Sequence, residues 1–60
     1  MTFAVNQIVR GQNAGVFVIL SFRLGADNQT WAMLKEINPL TQATYPGGLS
    51  LPITALRAYQ

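Results

Sequence analysis

The sequence has no cysteine and no histidine, and only a tenth of its 60 residues are charged. Without thiols or imidazoles the chain has no disulfides, and it lacks the usual ligands of structural zinc sites. Catalytic pairs of the Ser–His or Cys–His kind are excluded for the same reason. We predict one domain spanning residues 1–60, held together by apolar packing or by association between copies.

Long hydrophobic runs are also missing. The longest apolar run, residues 14–20, is far shorter than the roughly 20 residues that a membrane helix needs. The first four residues, Met1 to Ala4, carry no basic side chain, which argues against a signal peptide. The absence of cysteine is compatible with the cytosol. We therefore expect a cytoplasmic protein without membrane contact.

Charge is scarce in both signs, because four basic and two acidic residues give a net charge of +2. Soluble domains usually have about 25% charged residues, so repulsion between copies is weak here and self-association is favoured. The two carboxylates, Asp27 and Glu36, show no spacing that indicates an acid–base pair. There is also no glycine-rich phosphate loop leading into a helix. We predict no enzymatic activity, no cofactor and no metal site.

Half of the residues are apolar, and Gly, Pro, Asn and Asp punctuate the chain at short intervals. The segments between them are rich in Val, Ile, Phe, Thr and Leu, which is typical of strands. The sequence therefore predicts an all-β fold with a single 3₁₀ turn at residues 53–55. The predicted strands are residues 3–9, 16–24, 30–37, 48–52 and 56–59, while residues 42–45 could be a loop or a further strand.

The second predicted strand, Val16 to Leu24, has the clearest pattern. Its even-numbered residues are all apolar and are predicted to face the core, whereas its odd-numbered residues begin apolar and end polar. Nine residues at about 3.4 Å each span roughly 30 Å, which is too long for a flat sheet in so small a domain. We expect this strand to bend and to serve both halves of a small barrel.

Five short strands with a 3₁₀ turn before the last resemble an SH3-like barrel. The segment Gly48 to Leu56 is similar to the Gly-x-apolar-Pro-x-x-apolar ending of such barrels, with different spacing. The segment Ile8 to Gly15 resembles the KOW motif of ribosomal and transcription-factor barrels, whose first two glycines match Gly11 and Gly15. The resemblance implies a single five-stranded SH3-like barrel, and its KOW-like part implies binding to RNA or the ribosome.

The third predicted strand leaves open which of its faces is buried. If Ala32 and Leu34 face inward, Trp31 and Met33 join the outer residues of the second strand in one apolar patch; otherwise Trp31 belongs to the core. Exposed apolar patches mark interfaces. We therefore predict a non-enzymatic binding or assembly module that associates with itself or docks to a larger complex. The predicted interaction patch consists of Phe17, Ile19, Trp31 and Met33.

Nucleic acid is the alternative partner. The cations could line one side of the domain, with Trp31 or Tyr45 stacking on bases, or they could be scattered and serve only solubility. A more remote class is an enzyme that is active only as an oligomer with a shared central pore. The predicted nucleic-acid contacts are Arg10, Arg23, Lys35 and Arg57.

Overall fold

Five antiparallel strands form one sheet in the computed structural model, which describes residues 3–11 and 15–59. The order across the sheet is β4-β3-β2-β1-β5. The only helical element among the described residues is a 3₁₀ turn, so the predicted all-β class is confirmed. The elements are β1 (Ile8–Arg10), β2 (Val16–Leu24), β3 (Thr30–Glu36), β4 (Leu49–Pro52), the 3₁₀ turn (Ile53–Ala55) and β5 (Arg57–Ala58).

The bounds of β2 and of the 3₁₀ turn are those predicted, whereas the first strand is shorter. Its predicted beginning is a turn in which the backbone N–H of Gln7 donates to the carbonyl of Ala4 at 3.1 Å. Asn6 within this turn has a φ of 71°, a conformation that Asn tolerates better than most residues. Residues 42–45 form a loop with one isolated bridge, between Ile37 and Thr44. Part of the KOW-like segment, residues 12–14, lies outside the described residues.

One cluster of buried side chains forms the core. Ile19 and Leu34 are its largest fully buried side chains, with 0% and 1% of their surface exposed, and they lie opposite each other on β2 and β3. Val16 and Ile37 are also buried but lie outside this cluster. The cluster consists of Val9, Phe17, Ile19, Ala32, Leu34 and Leu56, with Phe3, Leu51 and Ile53 packed against it.

The prediction that the even-numbered residues of β2 face the core is wrong for the first half of the strand. A β-bulge interrupts the pairing with β3, because Ile19 is opposite Leu34 but Ser21 is opposite Met33. Leu20 is the extra residue, and an extra residue reverses which side chains face each side of the sheet. The core face therefore takes the odd residues before Leu20 and the even residues after it.

The sheet is not closed into a barrel. β4 and β5 lie at opposite ends of the strand order, and no pairing joins them in the described part of the chain. The 3₁₀ turn contacts β3 instead; Ile53 packs against the core cluster, and Leu56 after the turn belongs to it. Among residues 3–11 and 15–59, no helix is long and apolar enough to span a membrane.

Candidate functional site

The predicted interaction patch is divided between the two faces of the sheet. Phe17 and Ile19 are buried in the core, with 9% and 0% of their surface exposed. Trp31 and Met33 are half-buried on the opposite face, where they pair across the strands with Arg23 and Ser21. The condition that Ala32 and Leu34 face inward is met, but the register places Ile19 beside Leu34. The four side chains therefore do not form one continuous surface.

Three exposed apolar side chains follow one another at every second position elsewhere in the sheet, on the second half of β2. We call Leu20, Phe22 and Leu24 the β2 strip; their exposed fractions are 50%, 36% and 68%. The nine-residue length of β2, from which the sequence predicts a bend, is the feature that could have indicated this exposed strip. The core cluster takes residues only from the first half of β2, which leaves the apolar residues of the second half in solvent.

A cleft of about 370 Å³ lies at the hairpin that joins β2 to β3. The indole Nε1 of Trp31 donates to the Asp27 carboxylate at 3.3 Å, and the backbone N–H of Gln29 donates to the same oxygen at 3.2 Å. Trp31 also lies against Gly25, where an added Cβ would be only 2.6 Å from Nε1. The indole is thereby held against the turn. Arg23 and Ser50 complete the lining of this cleft with Gly25, Ala26, Asp27 and Trp31.

The four basic residues share one face of the sheet, the face opposite the core cluster. Arg10 is opposite Arg57 on β5 and Val16 on β2, and Lys35 is opposite Val18. Arg23 is opposite Trp31. Side chains that face each other across antiparallel strands point to the same side, and alternation along β1, β2 and β3, with the bulge included, places all these pairs on one side. The guanidinium of Arg10 also lies 5.5 Å from the centre of the Tyr59 ring.

The two acidic residues line different clefts. Asp27 belongs to the hairpin cleft, whereas Glu36 is opposite Phe17 and lines a cleft of about 280 Å³ with Leu49 and Leu51. Gly11 and Gly15 also line the second cleft. One copy of the chain therefore does not bring the two carboxylates to a common site.

The chain matches no known protein-family model, no curated protein and no solved structure. The exposed surfaces of the sheet are therefore the features from which a function can be inferred.

Proposed function

We propose that this protein is a non-enzymatic binding or assembly module that works through protein contact at the β2 strip. The observation that carries the proposal is the run of exposed apolar side chains at Leu20, Phe22 and Leu24. Clustered apolar surface of this kind is typical of interfaces. The low charge of the chain supports the proposal, because few charged groups have to be desolvated on contact.

Replacing Leu24 with Ser should abolish the contact while leaving the fold intact, because Leu24 is 68% exposed and lies outside the core cluster. We expect the tagged wild-type chain, in an extract of its own cells, to elute in size-exclusion chromatography well above the 6.6 kDa of one copy. The Leu24→Ser variant should elute as a monomer. Circular dichroism of the purified variant checks that the sheet is retained.

Leu40→Ser is the matched control, because Leu40 is 92% exposed but belongs to the loop after β3. It should elute as the wild type does. The proposal is wrong if the wild-type chain elutes as a monomer, or if Leu24→Ser leaves the larger species unchanged.

Binding of single-stranded RNA is the second candidate function, and the shared face of the four cations favours it. Trp31 lies on the same face and offers a surface for stacking, directly opposite Arg23. Tyr45 is 44% exposed in the loop after β3. A KOW-like role would use this cationic face rather than the β2 strip.

If the cationic face binds RNA, affinity should fall with salt at a log–log slope of about −3 for four phosphate contacts on a single strand. Fluorescence anisotropy of a labelled RNA oligonucleotide measures this slope. Arg23→Gln should make the slope about 0.7 less steep, whereas Glu36→Gln, on the core face, should leave it unchanged. Absence of binding at low salt would eliminate this candidate, since electrostatic affinity is greatest there.

We propose an SH3-like relationship for the fold, supported by the five strands and by the 3₁₀ turn between β4 and β5. The cytoplasmic location stays a prediction from the sequence.

A further inference from the structure

The second half of β2 has a free backbone edge. On the side of β2 away from β3, pairing with β1 ends at Val18, and the last hydrogen bonds beyond it involve Ile19. There the N–H of Asn6 donates to the carbonyl of Ile19 at 2.8 Å, and the N–H of Ile19 donates to the carbonyl of Gln7 at 3.0 Å. No residue of the described ranges pairs with Leu20–Leu24 on that side.

The free edge presents the backbone groups of Phe22 and Leu24. Gly25 at the end of β2 donates its N–H to the carbonyl of Gln29 at 2.8 Å. Hydrogen bonding alternates along an antiparallel strand, so Arg23 also bonds toward β3 while Phe22 and Leu24 point the other way. Their N–H and C=O groups are therefore available to another strand, beside their exposed side chains.

The two outermost strands of the sheet are protected against such pairing, whereas this edge is not. β5 has only two residues. β4 ends in Pro52, which is opposite Trp31 and has no N–H to offer to an incoming strand. Short strands and proline are the usual protection of sheet edges. The edge at Leu20–Leu24 is five residues long and contains neither proline nor lysine.

We propose that a second copy of this chain pairs with this edge, β2 against β2 and antiparallel, with the two-fold axis at Phe22. This inference rests on the proposed function and names its partner. The segment Leu20-Ser21-Phe22-Arg23-Leu24 is self-complementary about its centre, because it reads apolar, polar, apolar, polar, apolar in both directions. In the regular part of the strand, after the bulge, the two Phe22 residues then face each other on the core face of the sheet.

Charge selects this register over its neighbour. With the axis at Phe22, Arg23 of each copy lies opposite Ser21 of the other. With the axis at Arg23, two guanidinium groups would be directly opposite, which is unfavourable on a sheet. The self-complementary pattern favours a second copy over an unrelated protein, since both strands supply the same apolar side chains and the same free backbone groups.

Sedimentation of the purified wild-type chain at roughly millimolar concentration should give twice the 6.6 kDa mass of one copy. Amide exchange followed by NMR should show Phe22 and Leu24 slowed by about tenfold or more between micromolar and millimolar protein, because their N–H groups become bonded. The amide of Arg23, already bonded toward β3, should change little. These measurements need no substitution and do not depend on a variant folding.

Disulfide cross-linking tests the register. Because the chain has no native cysteine, the introduced cysteines are the only thiols that can react. A mixture of Ser21→Cys and Arg23→Cys chains carrying different tags should form a mixed disulfide on oxidation. Facing residues of this kind have Cα atoms about 4.5 Å apart, within the roughly 4.4–6.8 Å that a disulfide requires. Either variant alone, and a Leu40→Cys control, should cross-link at least tenfold less, since these cysteines do not face each other.

A monomer at millimolar concentration, or a dimer without the mixed disulfide, would overturn the inference. Such a result leaves the proposed function standing if the larger species in cell extracts still depends on Leu24, because the partner is then a different protein. If the larger species does not depend on Leu24, the proposed function fails as well.

Discussion

Replacing Ile19 with Ala should remove a large part of the free energy of unfolding. Replacing its neighbour Leu20 with Ala should change that free energy by less than about 1 kcal/mol. Ile19 is fully buried at the centre of the core cluster, and Leu20 is 50% exposed at the bulge. Truncating a buried Ile costs about 2–5 kcal/mol through lost apolar contact and the cavity that remains. A domain of this size has a total stability of roughly 3–9 kcal/mol.

Thermal unfolding followed by circular dichroism measures both variants. One kcal/mol shifts the melting temperature of so small a domain by about 4–8 °C, so Ile19→Ala should melt more than about 10 °C below the wild type. The sequence pattern by itself predicts the reverse order, with Leu20 inside and Ile19 outside. A larger loss for Leu20→Ala than for Ile19→Ala would contradict the bulge and the core built on it.

The elements of the fold could be predicted because local signals mark them. Pro52 fixes the beginning of the 3₁₀ turn through its restricted φ of −64°. The hairpin after β2 contains Asn28, whose φ of 65° suits a residue that tolerates the left-handed region. Such signals act within a few residues, and the bounds of β2 and of the turn follow from them.

The register of β2 against β3 could not be predicted, because the position of a bulge depends on how two strands pair and not on one strand alone. Nothing in the alternation of Val16 to Leu24 marks Leu20 as the extra residue, since every even position is apolar. Unbroken alternation also assigns Phe17 and Ile19 of the predicted patch to the outer face, whereas the bulge places both in the core. The pattern of β3 leaves two alternatives open, and the structure has the one in which Ala32 and Leu34 point inward and Trp31 and Met33 point outward.

The shared face of the four cations depends on the same register. Arg23 reaches the face of Lys35 and Arg10 only because the pairing shifts at Leu20. Without the bulge, Arg23 and Ser21 would still share a face with each other, but it would be the face of Phe17 and Ile19. One inserted residue thus determines both the apolar β2 strip and the cationic face.

Replacing Gly15 with Ala should lower stability by about 1–3 kcal/mol, because the new methyl group would overlap the ring of Phe17. A Cβ built on Gly15 lies 2.7 Å from Cζ and 2.8 Å from Cε2 of that ring. Phe17 is only 9% exposed and belongs to the core cluster, so its ring has little room to move. Gly11 approaches the same ring, with an added Cβ 2.9 Å from Cε2.

A double-mutant cycle separates this clash from other effects of removing a glycine. Phe17→Leu shortens the side chain and should cost stability by itself, but it also removes the ring atoms that the methyl group introduced by Gly15→Ala would meet. The double variant Gly15→Ala/Phe17→Leu should therefore lose less than the sum of the two single losses, by about 1 kcal/mol or more, as residues in contact commonly do. Urea unfolding of the wild type, the two single variants and the double variant gives the coupling free energy between the two substitutions. Strict additivity would mean that the loss caused by Gly15→Ala does not arise from contact with the ring of Phe17.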